Sequence, residues 1–542
     1  MAFASLSFLA FLCVVLCLYY LVPRKWQWGF LLVASFCFYA LSGVFSLAVL
    51  LVVTLLTFLF GKRLSRMQER EAAFLEANRA SMTKEERKKS KAEWKKRRDR
   101  VLFVALVTVF GVLLADKLAE RFLMPVCADL MPAPVMLLLQ RINLPFVKPT
   151  LGNAFLSVMG ISYFVFMAAG YLIDVNRGKV RAEKNFFRLS LFLTFFPQTV
   201  QGPIGRFSEL EEQLFAPHRA AWEPISRGFL RMLWGFFKKL VIADAIAPVI
   251  GKLTGGVEYT GGFVLLAAVL YTAQIYGDFT GGIDITIGIA EMMGIRLSEN
   301  FRHPFSSVSL KEYWNRWHIT MGAWFTDYLF YPLSVSKPMQ KLSKKSREKL
   351  GNPIGRRVPV YLATALTWFA TGVWHGLRWN FIVWAMLNCA VLLISQECEP
   401  WYRRFHARFP GAKEHPVYRA FCRGRTFLLV GFLRLFDIYA DVPTTFARIG
   451  SVFCVFNFGT VAGSLFSLGV SMPAFLAFLA AVAIVWTVSK AGEKHDVRSV
   501  LTARPAAYAA VCALLVFVIL VFGAYGMGYD ASQFIYGGAK FK

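Results

Sequence analysis

Charge is scarce in this sequence. Asp, Glu, Lys and Arg make up 17% of its 542 residues, against about a quarter in soluble globular chains. That shortage excludes an ordinary soluble domain and a disordered one. Paired cysteines are also missing. None of the nine cysteines stands in a CxxC or in a Cys/His metal spacing, and most lie in apolar runs, where they read as small buried hydrophobes. There is no GxSxG elbow, no HExxH, no Walker A loop and no dinucleotide fingerprint after a strand, which removes the chemistries those motifs carry. No internal repeat of the kind that builds secondary transporters is visible. The stretch MAFASLSFLAFLCVVLCLYYLVPRKW has no basic residue before its apolar run. It predicts a first span with the N-terminus outside rather than a cleaved signal peptide.

What is abundant is apolar surface: 56% of residues are hydrophobic, 52 of them phenylalanine. Many runs reach the roughly 20 residues needed to cross a bilayer. The composition therefore predicts an all-α, polytopic integral membrane protein, with about 11 to 13 transmembrane helices plus re-entrant or interfacial ones. Early spans are expected at 4–22, 28–42, 44–60, 101–116 and 152–173, and later ones at 359–374, 379–396, 424–440, 452–469, 473–489 and 505–524. The net charge of +28 fits cytoplasmic loops enriched in Lys and Arg. No nucleic-acid recognition module accompanies it, so the lipid bilayer is the expected partner. Arg24 and Lys25, the basic segment 62–100 and NRGKVRAEK at 176–184 all fall on the cytoplasmic side if the N-terminus is outside.

Segment 62–100 is basic, interspersed with Glu and free of Pro and Gly, which predicts a helical cytosolic hairpin with a solvated face. Residues 335–358 read as a second basic loop. Between them, 186–200, 225–250, 262–277 and 281–295 are apolar but broken by Gly, Pro, Asp or Lys. Interrupted backbone survives at membrane depth only where protein or a wet cavity satisfies it, so a cavity is expected in the central third. The expected divisions are N-terminal spans over 1–150, a catalytic core over 151–396 and C-terminal spans over 397–542.

Of the seven histidines, His218, His406, His415 and His495 lie among charged or Pro/Gly residues and read as solvated, and His303 sits beside a proline turn. His318 and His375 remain near apolar segments. With 314–328 taken as one helix, Trp314, Trp317, Met321, Trp324, Phe325 and Tyr328 share a face, Arg316, Thr320 and Asp327 oppose it, and His318 borders the aromatics near Phe325. That pattern suits an interfacial belt as well as a cavity wall. His375 closes one apolar run and is followed by Gly376 and another run. An ionisable residue there is costly unless paired or hydrated, and is a functional hypothesis by default. Asp278 and Asp284 in YGDFTGGID each need a cationic or hydrogen-bonding partner, for which Arg316 or a histidine is the candidate. They serve equally as modifiers of a histidine or as braces for a broken helix. His318 and Asp327 are nine apart, so they do not form the His-x4-Asp unit of soluble glycerolipid acyltransferases.

Six blocks occur in order: GISYFVFMAAGYLIDVNRG (160–178), FFPQTVQGPIGRFSEL (195–210), QIYGDFTGGIDITIGIAEMMGI (274–295), ENFRHPFSSVSLKEYWNRWHITMGAWFTDYLFYPL (299–333), TGVWHGLRWNFIVWAMLN (371–388) and the tail QFIYGG. Together they resemble the membrane-bound O-acyltransferases, in the bacterial branch of alginate O-acetyltransferases and teichoic-acid D-alanyl transferases. The resemblance implies a ring of spans around a thin centre with a central tunnel. It makes His375, of the WHG block, the catalytic histidine and His318, of RWH, its partner. Three features depart from the family pattern: a longer basic loop follows YLFYPL, DFTGG carries Thr280 where the family has serine, and the tail ends FIYGGAKFK rather than in aromatics.

The resemblance implies acyl transfer, most simply of acetyl, to hydroxyls of a cell-surface polysaccharide in a bacterial cytoplasmic membrane. D-alanyl transfer to teichoic acid is the alternative. No bound cofactor is expected. The donor is a co-substrate such as acetyl-CoA or an acyl-carrier-protein thioester. A separate extracytoplasmic acyltransferase and a cytosolic acyl-carrier protein are candidate partners. His375 is the expected general base. His318 orients the acceptor, stabilises the oxyanion with Asn315 or the Trp374 N–H, or relays the acyl group; the residues leave these open. Arg316, Trp317, Asp278 and Asp327 are expected in support. A transporter or lipid flippase also needs a polar path through the bilayer, but it predicts flux that survives loss of both histidines. A scaffold for a secreted acyltransferase makes both histidines dispensable.

Overall fold

A computed structural model describes residues 3–119, 158–199, 201–256, 258–439, 441–464, 468–469, 471–525 and 529. The start of the expected span at 152–173 and the QFIYGG tail lie outside them. Everything described is helix, turn or irregular backbone except one isolated antiparallel bridge between Phe301 and Trp317. Six described helices are long and apolar enough to cross a membrane: Val44–Ala77, Lys84–Leu118, Gly262–Met292, Trp379–Glu397, Met472–Gly492 and Pro505–Phe522. The fold is an all-helical, multi-pass membrane protein.

Contacts group the chain into two units. Among the described residues, the first comprises those within 3–229 with Thr286–Ser298, and the second Leu230–Ile285 with those within 299–529. In the first unit the central helix is Ile161–Arg177, buried continuously from Tyr163 to Val175. Gly160 precedes it at φ 71°, where an added Cβ would run into the Thr199 carbonyl oxygen. Basic segment 62–100 forms the hairpin its composition predicts. Val44–Ala77 and Lys84–Leu118 each run from membrane-type sequence into charged sequence. The turn between them is closed by a capping box, with the Thr83 hydroxyl accepting from the Glu86 N–H and the Glu86 carboxylate accepting from the Thr83 N–H. An Arg98–Glu71 ion pair ties the two arms.

In the second unit three expectations fail. Segments 262–277 and 281–295 are not separate; Gly262–Met292 is one helix of 31 residues. The glycines that suggested a break are there for close approach. A Cβ on Gly281 would meet the Gly235 carbonyl oxygen at 2.8 Å, and one on Gly235 would meet that of Gly281 at 2.6 Å. Backbone rests on backbone where the two helices cross. Basic segment 335–358 is also helical: Lys337–Gly355 kinks at Gly351, whose φ is 74°. The expected span at 452–469 is instead two shorter helices, Val442–Cys454 and Phe458–Ser464. Part of this unit's core is a cluster of Val264, Ala268, Leu435, Tyr439 and Val452.

Candidate functional site

The single-helix reading of 314–328 is overturned by the backbone. Helix Leu310–Arg316 starts at Ser309, whose hydroxyl accepts from the Glu312 N–H, and stops after Arg316. Trp317 is extended and bridges Phe301, with the Arg302 N–H donating to the Arg316 carbonyl at 3.0 Å and the Ile319 N–H to that of Asn300 at 3.0 Å. His318 then turns the chain at φ 51°, ψ 50° and begins a second helix, Ile319–Phe325. Histidine is among the few non-glycine residues that enter this left-handed region at tolerable cost. Sequence periodicity cannot register such a turn, so a helical wheel drawn across 314–328 does not describe the surroundings of His318.

His318 is buried, at 1% exposure. The Phe279 ring meets it edge-on, centroids 4.9 Å apart, and the Trp374 ring lies 6.1 Å away. Asn300 Oδ1 lies 3.3 Å from Nδ1 and also accepts the Thr320 N–H and hydroxyl, at 3.0 and 2.9 Å. Neither His318 nor its neighbours in the turn belong to the six candidate spans. Burial first, and the Arg434 charge second, push its pKa down to about 3. The imidazole is neutral at ordinary pH, and a proton on Nδ1 directed at Asn300 leaves the lone pair on Nε2.

His375 is the last residue of helix Arg357–His375. Gly376 ends that helix, and a Cβ there would strike the Phe381 ring at 2.7 Å. The chain reverses at once into Trp379–Glu397, which brings two rings back onto the half-buried imidazole. Trp384 meets it edge-on at 4.9 Å, and Phe381 stacks at 6.1 Å. Trp374 adjoins it at 4.7 Å. Both histidines therefore neighbour one indole, that of Trp374.

Trp317 is buried against Phe279, Phe301 and Tyr313. Arg434, which the sequence reading missed, sits over three indoles: its guanidinium carbon is 5.9 Å from the Trp314 ring, 5.3 Å from Trp317 and 5.2 Å from Trp384. It pairs with Asp437 at 3.1 Å, and both side chains are at most 3% exposed. An arginine inside the apolar run 424–440 was the available signal. Asn300, also missed, carries no sequence signal beyond its place in the ENFRHPF block.

The remaining expected residues lie elsewhere. Asn315 is exposed, and Arg316 pairs with Glu312 at 2.7 Å. Both line a 1630 Å³ cavity in which Lys and Arg side chains, among them Lys311, Arg357, Arg419, Arg423 and Arg425, outnumber the glutamates Glu312, Glu397, Glu399, Glu414 and Glu493. Asp327 is half-buried in a π-helical turn, Thr326–Phe330. The partners found for Asp278 and Asp284 are two lysines and an arginine other than Arg316. Lys239 reaches Asp278 at 2.6 Å and Asp244 at 2.8 Å. Lys238 reaches Asp284 at 2.6 Å and the Thr280 hydroxyl at 2.8 Å, and Arg231 joins Asp284 at 2.9 Å and Glu299 at 2.6 Å. The adjacent lysines lie in a π-helical stretch, Phe237–Ala243, a feature frequent at functional sites. His218, expected to be solvated, is half-buried with Nε2 2.8 Å from the Gln213 carbonyl oxygen.

The profile of the membrane-bound O-acyltransferase family matches residues 177–347 and 352–427. The chain is 32% identical over 397 residues to a protein named probable alginate O-acetylase of Pseudomonas fluorescens, covering 73% of this chain and 66% of that one. It is 28% identical over 261 residues to the teichoic acid D-alanyltransferase of Bacillus subtilis, covering 46% and 62%. It is 29% identical over 282 residues to the peptidoglycan O-acetyltransferase of Helicobacter pylori, covering 46% and 50%. The chain thus spans about half to two thirds of the length of the curated relatives it matches.

Proposed function

The chain belongs to the membrane-bound O-acyltransferase family, and on that premise we propose that it is an O-acyltransferase carrying an acyl group, most simply acetyl, from a cytosolic thioester to hydroxyls of a cell-surface polysaccharide. The observation that carries this reading is the shared indole: the histidines of the RWH and WHG blocks both neighbour Trp374.

An alcohol attacks a thioester slowly at neutral pH because its oxygen keeps its proton. In this reading the His375 imidazole takes that proton as the oxygen bonds to the thioester carbonyl carbon. General-base help of this kind contributes about 10²–10⁴-fold. The C–S bond then breaks, the ester remains on the acceptor, and the sulfur leaves with the proton that His375 returns. Neutral His318, held by Asn300, orients the acceptor or the carbonyl oxygen. Aromatic walls keep water from competing for the acyl group. The cavity lined by Asn315, Arg316 and further arginines suits a polyanionic donor, such as acetyl-CoA or an acidic acyl-carrier protein. Handing the group outward, with or without a separate extracytoplasmic acyltransferase, spares a charged donor from crossing the bilayer.

The test is acyl-ester content of the cell-surface polymers by mass spectrometry, in cells bearing wild-type protein or His375→Ala at matched membrane levels. Loss of O-acetyl from a polysaccharide is expected. Loss of D-alanyl ester instead reassigns the acyl group, and unchanged esters reject the assignment of His375.

A further inference from the structure

A second cavity in the same unit, of 710 Å³, is amphipathic along its length. One long wall is apolar and comes from two candidate membrane spans: Ile484, Val485 and Val488 of Met472–Gly492, and Val511, Leu514 and Val518 of Pro505–Phe522. Leu230, Trp234, Phe237 and Ile283 face it from the other side. The apolar stretch from Val511 to Val518 is about 10 Å long at the helical rise, most of the roughly 15 Å depth of one leaflet.

One end of the cavity is basic. Lys494, His495 and Arg498 lie in the connection that joins the two spans, and His303, whose Nδ1 is 2.7 Å from the Ser489 hydroxyl, brings Arg302 to the same end. The two acids at that end are engaged. Glu493 faces Lys490 at 3.5 Å, and Asp496 caps its helix, accepting from the N–H groups of Arg498 and Ser499 and the Ser499 hydroxyl. Deeper in, Asp284 and Glu299 face Arg231 and Lys238 in the ion-pair network already described. Residual charge at the mouth is positive. Lys494 and Arg498 follow a span directly, where clustered basic residues mark the cytoplasmic face and draw anionic headgroups.

An apolar slot between spans with cations at one end has the polarity of an anionic lipid. Water would wet the aliphatic wall at a cost, and a small polar anion would leave that wall uncovered. We propose that this cavity binds an anionic phospholipid. Its phosphate sits among Arg302, Lys494 and Arg498, and one acyl chain lies along Ile484–Val488 and Val511–Val518. The cavity shares Arg302 and His303 with the 1630 Å³ cavity, but lipid binding there does not depend on the acyl-transfer reading.

The experiment is native mass spectrometry and thermal melting of the full chain in detergent, titrated with phosphatidylglycerol or with phosphatidylcholine of the same chains. Phosphatidylglycerol is expected to add one retained lipid and raise the melting temperature, and phosphatidylcholine to do neither at the same concentration. Arg302→Gln with Arg498→Gln should weaken phosphatidylglycerol binding on the order of tenfold or more, as loss of two cations near a headgroup implies. Leu514→Trp fills the slot with its cations intact, and because Leu514 is 60% exposed the chain should still fold; it too should lose the retained lipid. A distant control, Lys88→Gln with Lys95→Gln, should bind as wild type. Equal binding of both lipids overturns the proposal, as does wild-type retention by either cavity variant or an equal loss in the control. If glycerol phosphate or inorganic phosphate reproduces the stabilisation, the site takes a free phosphate and the lipid assignment fails.

Discussion

Asn300 holds His318: its Oδ1 lies 3.3 Å from the imidazole Nδ1, and the same oxygen accepts both the N–H and the hydroxyl of Thr320. One buried acceptor thus fixes the tautomer of the histidine and the first turn of the helix that follows it. Asn300→Ala removes an acceptor from three groups, costing about 1–3 kcal/mol for the donors left buried. Acyl-ester formation is expected to fall at least tenfold at matched protein level. Asn300→Asp, which keeps the oxygen, should retain the helix yet shift the acid side of the pH–rate profile upward by stabilising an imidazolium.

The left-handed backbone of His318 separates its geometry from its chemistry. Asn tolerates that conformation and Ala resists it by about 1–2 kcal/mol. His318→Asn should therefore melt close to wild type, and His318→Ala several degrees lower. Both should lose activity equally, and a comparison of melting curves with turnover checks the separation.

Burial of neutral His318 also sets a direction for stability against pH. Its folded pKa lies near 3, below the ordinary 6.5, so the unfolded chain binds the extra proton between those values. Its contribution is full above pH 6.5 and is lost as pH falls toward 3. Melting temperature should drop between pH 7 and pH 5, and His318→Gln should flatten part of that slope.

Arg434 and Asp437 form a buried pair roofed by three indoles. Arg434→Met strands the Asp437 carboxylate and should destabilise by about 3–5 kcal/mol. Adding Asp437→Asn should restore much of that loss. Thermal melts of the single and double variants measure the coupling directly.

Two glycines should respond oppositely to enlargement. Gly281→Ala puts a Cβ 2.8 Å from the Gly235 carbonyl oxygen and should cost about 1–3 kcal/mol through forced separation of helices. Gly322, inside Ile319–Phe325, has nothing within 4 Å of an added Cβ. Gly322→Ala should stabilise by up to about 1 kcal/mol.

Hydropathy made the class and many helices legible, because length and apolarity decide whether a segment can cross a bilayer. The helix ending at His375 and the one starting at Trp379 fall within a few residues of expectation. What failed was local: the turn at His318 depends on a backbone bridge to Phe301, a contact distant in sequence. The partners of Asp278 and Asp284 were missed for a related reason. Lys238 and Lys239 are adjacent, and in regular helix they point about 100° apart. They reach two carboxylates six residues apart on one long helix, a contact distant in sequence of which hydropathy carries no mark. Arg434 was hidden because the run 424–440 was read as an apolar span and the arginine in its middle was passed over.

The hairpin of Val44–Ala77 and Lys84–Leu118 sets a distance. Helices of 34 and 35 residues are about 50 Å long at 1.5 Å per residue, while the hydrocarbon core takes about 30 Å. Roughly 20 Å of stiff, charged helix is left standing beyond it. A soluble protein diffusing toward that stretch of membrane collides with the Thr83 turn before it touches a headgroup. Arms of that length, standing along the bilayer normal, would set a minimum standoff for anything too broad to pass beside them while leaving small solutes unobstructed.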